Sequence, residues 1–79
     1  MLKTIYQDRY ELLVQTLICA RKQLSFTQAE LAKRLNKPQS YIAKIEGKDR
    51  KLDVLEFIDL CKILQLDAQI IIKKLQSAE

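Results

Sequence analysis

The sequence predicts an all-α protein, a compact bundle of five short helices. Gly and Pro occur once each in 79 residues, so few positions can form a hairpin turn or end a strand. Leu, Ile, Lys, Gln, Glu and Ala dominate the remainder, and most of these residues favour helices. A chain of this size buries only about 60% of the surface that its unfolded form exposes. We therefore expect one domain over residues 1–79 with a single core.

The first two helices are indicated by apolar spacing and by a cap. The first helix is predicted over about residues 8–23. Its apolar face is marked by residues at helical spacing: Tyr6, Tyr10, Leu13, Leu17, Ala20 and Leu24, with Val14 and Ile18 widening this face. Thr27 and Glu30 have the spacing of a capping box, which starts a second helix at Gln28. That helix ends at Asn36, a residue that tolerates the left-handed conformation. The residues expected to face the core are Leu31, Ala32 and Leu35.

A third helix follows after a short turn. Pro38 suits its first turn, because the missing N–H of proline would be unpaired there. The helix extends to about Glu46, and Gly47 ends it. The charged stretch 48–51 then forms a solvated loop.

The last two helices begin at acidic caps. Asp53 and Glu56 repeat the capping-box spacing and start the fourth helix, and Asp67 caps a fifth helix over about residues 68–76. The fourth helix is expected to turn inward Leu55, Ile58, Cys61 and Leu64. The fifth carries Ile70, Ile71, Ile72 and Leu75.

The composition argues against catalysis and metal binding. His is absent, which removes the commonest general base and the commonest transition-metal ligand. Cys19 and Cys61 are 42 positions apart without a CxxC pair, so we expect buried, reduced thiols in helices instead of a zinc site or a disulfide. Asp53, Glu56 and Asp59 are explained by a helix cap and a solvated face. We expect no catalytic residue, no metal and no cofactor.

Membrane and secretion signals are not expected either. No signal peptide opens the sequence, and no apolar run approaches the roughly 20 residues that a membrane span needs. We therefore expect a cytoplasmic protein with no membrane partner.

Positive charge is concentrated in the second and third helices and the loop that follows. The chain has a net charge of +4, while residues 33–51 alone hold seven basic and two acidic residues, a local +5. On the third helix one arc is polar or small and comprises Gln39, Ser40, Ala43 and Lys44; the opposite arc comprises Tyr41, Ile42, Ile45 and Glu46. Gln can bond adenine, Lys can donate to guanine and Ala can touch a thymine methyl group. The pattern predicts a helix that lies in the major groove of double-stranded DNA.

The runs 27–32 (TQAELA) and 38–47 (PQSYIAKIEG) resemble the helix-turn-helix of the XRE family, which includes the lambdoid phage repressors and Cro. The resemblance extends from about Arg21 to Asp67, with the helix-turn-helix at about 27–46. It implies a prokaryotic or phage protein with a lambda repressor-like bundle of four or five helices that binds operator DNA as a two-fold dimer. Asn36 stands where the family usually has Gly, and Pro38 replaces the usual Ser or Thr cap; both are chemically tolerable.

The resemblance also implies roles by position. Gln39, Ser40 and Lys44 match the base-reading positions, and Ala43 on the same arc completes the expected base contacts. Gln28 matches a glutamine that contacts a phosphate and braces the recognition helix. The expected phosphate contacts are Gln28, Lys37, Tyr41, Lys48, Arg50 and Lys51. Arg21 and Glu46 match a structural ion pair.

Self-association is expected through the fifth helix. Three consecutive isoleucines span about 200° of a helix, so at least one of them faces water or another subunit. The expected dimer interface comprises Ile70, Ile71, Ile72 and Leu75. The alternative is that Leu2 and Ile5 of the first helix cover this excess apolar surface.

The sequence thus predicts a sequence-specific DNA-binding transcriptional regulator, and in particular a repressor that acts by occlusion, since no effector domain fits in the chain. The same domain would serve an antitoxin, with a toxin as a further partner, or a restriction-modification controller. A third class is a protein interaction module in which the basic surface meets an acidic partner.

Overall fold

The described chain consists of α-helices and the turns that join them. A computed structural model describes the backbone of residues 2–78 and the side chains of residues 9–78. The helices are α1 (Leu2–Gln23), α2 (Gln28–Arg34), α3 (Gln39–Glu46), α4 (Val54–Leu64) and α5 (Ala68–Ser77). Residues 2–78 contain no strand, which confirms the all-α prediction.

One core is built from all the helices. Its buried apolar residues are Val14, Leu17, Ala20, Leu31, Ala32, Ile42, Ile45, Phe57, Leu60, Cys61, Leu64 and Ile71. Each such side chain contributes about 1.5–3 kcal/mol when it leaves water, so a domain this small depends on nearly every one of them.

Three of the helices start at the predicted caps. The Glu30 N–H donates to Thr27 Oγ1 at 3.0 Å, and the Thr27 N–H donates to Glu30 Oε1 at 2.7 Å. Asp53 and Glu56 form the same reciprocal pair at 2.8 and 3.1 Å. Asp67 caps α5 through its carboxylate. Each cap satisfies backbone N–H groups that have no partner inside the helix.

The turn between α2 and α3 is longer than predicted, because α2 ends earlier and α3 begins later. Asn36 takes the left-handed conformation (φ 57°) as predicted, but the helix already ends at Arg34. Pro38 lies in extended backbone (φ −72°, ψ 158°) as the residue before α3, not in its first turn. This placement satisfies the same physical constraint, because a proline there leaves no N–H without a partner.

Gly47 ends α3 without adopting the left-handed conformation. Its φ is −82°, and the next residue, Lys48, takes the positive φ of 64°. Glycine is favoured here by space, since a Cβ atom would lie 3.2 Å from the Ala43 carbonyl oxygen and 3.3 Å from Asp49 Oδ2.

Helix α1 is longer than expected and begins at Leu2 instead of near residue 8. The additional segment contains neither Gly nor Pro, so nothing in it interrupts a helix. The side chains of Leu2 and Ile5, which could have covered α5, lie outside the described residues, as does that of Tyr6. Cys19 is exposed, contrary to the expectation, because it lies off the stripe that packs on the core.

The prediction for the buried face of α4 was wrong at two of its four residues. Leu55 (69% exposed) and Ile58 face solvent, while Phe57 and Leu60 are buried beside Cys61 and Leu64. Residues three apart drift by about 60° per step on an α-helix, so the predicted face could not stay on one side. The observed spacing of 57, 60, 61 and 64 holds to one stripe.

Helix α5 uses its isoleucines in different ways. Ile71 is 6% exposed and belongs to the core, and Leu75 is partly buried against the same core. Ile70 and Ile72 lie exposed on the two flanks of the helix. Two of the four residues predicted at a dimer interface, Ile71 and Leu75, therefore pack within their own chain.

Candidate nucleic-acid interface

Helices α2 and α3 form a helix-turn-helix whose inner sides share the core. Leu31 and Ala32 of α2 join the same buried cluster as Ile42 and Ile45 of α3. Only residues 35–38 separate the two helices. The packing fixes α3 relative to α2 and leaves the other side of α3 exposed.

The outer side of α3 carries the predicted base-reading residues. Gln39, Ser40 and Lys44 are exposed and Ala43 is partly exposed. Among the described residues, the side chains of Ser40 and Lys44 have no hydrogen-bond or ion-pair partner. These groups are free to meet base edges, and B-DNA admits an α-helix in its major groove.

A buried ion pair joins the end of α1 to the end of α3. Arg21 Nε donates to Glu46 Oε2 at 2.7 Å and Arg21 Nη2 donates to Glu46 Oε1 at 3.0 Å. Both side chains are only 11% exposed. Arg21 Nη1 also donates to the Phe26 carbonyl oxygen at 2.8 Å, which ties the segment before α2 to the same group.

Gln28 extends this pair to the reading side of α3. Its Nε2 donates to Glu46 Oε1 at 2.9 Å, and its Oε1 accepts a long hydrogen bond of 3.5 Å from Gln39 Nε2. Gln28 therefore connects a buried carboxylate to the first residue of α3. This contact restricts the side chain of Gln39 before any ligand binds.

Two of the predicted phosphate-binding cations are held by carboxylates. Lys48 forms an exposed ion pair with Glu11 of α1, and the hydrogen bond from Lys48 lowers the pKa of Glu11. Arg50 Nη1 and Nη2 donate to Glu56 Oε1 and Oε2 at 2.8 and 2.7 Å. Hydrogen bonds from Arg50, and then from the Asp53 backbone, lower the pKa of Glu56 to about 2.

Other cations lie against aromatic rings. Lys37 Nζ is 5.2 Å from the centroid of the Tyr41 ring, and Lys51 Nζ is 5.3 Å from that of Tyr10. Burial raises the pKa of Tyr41, so its hydroxyl stays protonated at neutral pH and can donate a hydrogen bond. Within the described residues, the exposed cations of this region that have no carboxylate partner are Lys33, Arg34, Lys37, Lys44 and Lys51.

The pairing of Arg50 with Glu56 is the feature of this surface that the sequence did not reveal. Glu56 was expected only as part of a cap, and Arg50 only as a phosphate contact. The one feature of the sequence that could have indicated the pair is the capping box, which places the Glu56 side chain at the start of α4, six positions after Arg50. The conformation of the intervening loop, which brings the two side chains together, has no periodic pattern.

Metal and membrane features are not found in the described part of the chain. No group of three His, Cys, Asp or Glu side chains is placed to hold a metal ion there. None of its helices is both long enough and apolar enough to cross a bilayer.

Comparison with known proteins agrees with this architecture. Residues 20–71 match the Helix-turn-helix family. A solved structure described as an XRE-family like protein from Pseudomonas syringae pv. tomato str. DC3000 is 43% identical to this chain, with a TM-score of 0.87. The similarity covers 95% of this chain and 92% of that one. The comparison with curated proteins gave no match.

Both findings involve the segment that holds the capping box, the turn and the exposed side of α3. The family match spans more than half of the chain, and the solved relative is similar over nearly its whole length. This chain therefore belongs to the XRE-type helix-turn-helix family of DNA-binding regulators.

Proposed function

We propose that this protein is a sequence-specific transcriptional regulator that represses by occupying an operator in double-stranded DNA as a dimer. The observation that carries the proposal is the exposed side of α3, which presents Gln39, Ser40 and Lys44 on a helix fixed from behind by the core. A surface with this chemistry has no use in packing, and it fits the donor and acceptor pattern of the major groove.

Base recognition would use four side chains of α3. Gln39 presents an amide that can bond adenine at two atoms, and Lys44 presents an ammonium that can donate to guanine. Ser40 can bond either kind of group, and Ala43 leaves room for a thymine methyl group.

Phosphate contacts would come from the cations that surround α3. Lys37 and Lys51 are exposed, lie before and after the helix and have no carboxylate partner among the described residues. Lys48 can reach a phosphate only by leaving Glu11, which is an easy exchange because a surface ion pair is weak. Gln28 would supplement these cations as a neutral donor, whereas the Tyr41 hydroxyl would have to exchange its hydrogen bond with Glu56 for a phosphate.

The salt dependence of binding tests the phosphate contacts. We expect Lys37→Gln and Lys51→Gln each to weaken binding to all duplexes and to reduce the slope of log affinity against log salt by about one unit. Titrations of a selected and a random duplex at several salt concentrations measure this slope. Unchanged slopes in both variants would place the phosphate contacts on other residues, with Lys33, Arg34 and Lys48 as the remaining cations to test.

The dimer would form through the apolar surface that α4 and α5 share. An apolar groove of about 460 Å³ runs between these helices, lined mainly by Val54, Phe57, Ile58, Ala68 and Ile72. Leu55, which follows Val54 in the chain, is 69% exposed. A two-fold interface uses the same patch twice, so Leu55 of each protomer can fill the groove of its partner. Ile70 lies on the other flank of α5, beside Leu12.

The two exposed isoleucines of α5 provide a matched test of this interface. We expect Ile72→Lys to shift the protein to a monomer and Ile70→Lys to leave the dimer intact, because only Ile72 lines the groove. Sedimentation at tens of micromolar measures both. A monomeric parent would refute the dimer, and a dimer that persists in Ile72→Lys would place its interface elsewhere.

Selection of bound sites from a random duplex library tests the function itself. We expect enriched sites to be inverted repeats whose half-site centres are about one helical turn, or 34 Å, apart. Binding without any enriched sequence would contradict a sequence-specific regulator. Enrichment of single, non-palindromic half-sites would contradict the dimer.

A further inference from the structure

Arg50 lies where α1, α3 and α4 meet. Its guanidinium donates twice to Glu56 at the start of α4, at 2.8 and 2.7 Å, and its Cζ lies 4.9 Å from the centroid of the Tyr41 ring on α3. Its carbonyl oxygen accepts from the Tyr10 hydroxyl of α1 at 3.2 Å. Its backbone N–H donates to the Lys44 carbonyl oxygen at 3.2 Å. Both the backbone and the side chain of Arg50 are thus committed to other elements.

These contacts leave Arg50 poorly suited to bind a DNA phosphate. The bidentate geometry with Glu56 already uses both terminal nitrogens, and a carboxylate matches this planar group as well as a phosphate does. Binding a phosphate would leave Glu56 without its cation. Glu56 also accepts from the Asp53 N–H at 3.1 Å, so the same carboxylate caps α4.

Tyr41 connects Arg50 to the reading side of α3. It is the third residue of this eight-residue helix and lies partly buried, roughly 160° around the helix axis from Gln39. Pro38 provides no side-chain cap at the start of α3, so the early part of the helix depends on contacts along its back. The C-terminal end of α3 is held separately, by the ion pair of Glu46 with Arg21.

We propose that Arg50 is a positioning residue for base recognition, which together with Glu56 holds Tyr41 and thereby sets the rotation of α3 in the groove. The proposal rests on the function proposed above. Arg50 would thus position α3, whereas its sequence neighbour Lys51 would bind a phosphate.

Four variants separate the two roles. Arg50→Gln and Arg50→Lys remove the bidentate contact, the second with the charge retained. Glu56→Gln disrupts the same contact from the other side, and Lys51→Gln is the matched control for lost charge. All are studied at a temperature at which circular dichroism shows them folded, by titration of a selected and a random duplex at several salt concentrations.

We expect the Arg50 variants and Glu56→Gln each to reduce the ratio of selected to random affinity by about tenfold, the size of one lost base contact. The salt slope should stay unchanged, and the double variant Arg50→Gln with Glu56→Gln should discriminate no worse than either single one. Lys51→Gln should show the reverse, a slope reduced by about one unit and an unchanged ratio.

If Arg50 instead binds a phosphate, the affinities and the salt slope should change in a different way, and that result would overturn the proposal. Arg50→Gln would then weaken both duplexes equally with a smaller slope, and Glu56→Gln would strengthen both by freeing the cation. Amide hydrogen exchange without DNA gives an independent readout, in which residues 39–46 should exchange faster in both Arg50 variants than in Lys51→Gln. Equal exchange would also overturn the proposal, whereas a parent that binds all duplexes alike refutes the proposed function alone.

Discussion

Replacing Arg21 with alanine is expected to destabilise the fold by about 3–5 kcal/mol, because it leaves the buried Glu46 carboxylate without its cation. Among the described side chains, Glu46 would keep the Gln28 amide as its one donor. A domain of 79 residues has a total stability of about 4–12 kcal/mol, so the loss would consume much of it. Urea titration of the parent and the variant at 25 °C measures the difference in the free energy of unfolding.

The exposed pair of Glu11 with Lys48 provides the matched control. Glu11→Gln also removes one partner of an ion pair, but both side chains are well exposed, so we expect no measurable change in stability. Replacing Arg21 and Glu46 together by leucine should recover part of the loss, since no unpaired charge then remains buried. Equal midpoints for Arg21→Ala and the parent would show that the pair contributes nothing to the fold.

Gln39→Ala is expected to weaken binding to the selected site by about 1–3 kcal/mol, as the loss of a bidentate base contact should. The preference should relax at one base pair only. Gln39 is exposed and lies outside the core, so the thermal midpoint should not change. Titrations of the selected site and of its variants at that base pair measure the effect.

The same variant on a random duplex is the control for Gln39. Its affinity there should hardly change, because an uncharged side chain adds nothing to counterion release. Equal weakening on selected and random duplexes would mean that Gln39 reads no base. A lowered thermal midpoint would mean that its contact with Gln28 supports the fold instead.

Local signals predicted most of the fold. The capping boxes at Thr27 and Asp53 depend on residues three apart, so their pattern is complete in the sequence. Asn36 was correctly expected in the left-handed conformation, for a similarly local reason. The exposed arc of α3 followed from helical geometry alone, and the proposal of a base-reading surface follows directly from it.

Features that depend on distant residues could not be predicted in this way. The inward face of α4 is set by how the helix rests on the others, and an incorrect spacing placed Leu55 in the core. The pair of Arg50 with Glu56 depends on a loop conformation, and the pair of Lys48 with Glu11 joins residues 37 positions apart. For the same reason helical spacing alone could not show which residues of α5, here Ile71 and Leu75, pack within their own chain.

The contact of Gln39 with Gln28 bears on how the proposed base-reading surface can change its specificity. Gln28 also donates to Glu46, so a substitution at position 39 removes one end of a chain of side-chain contacts between helices. Ser40 and Lys44 have no such side-chain tie among the described residues. Under the proposed base-reading role, single substitutions at 40 and 44 change only the surface that faces the bases, whereas a substitution at 39 also changes the contact with Gln28. Specificity should therefore diverge first at positions 40 and 44, and last at position 39.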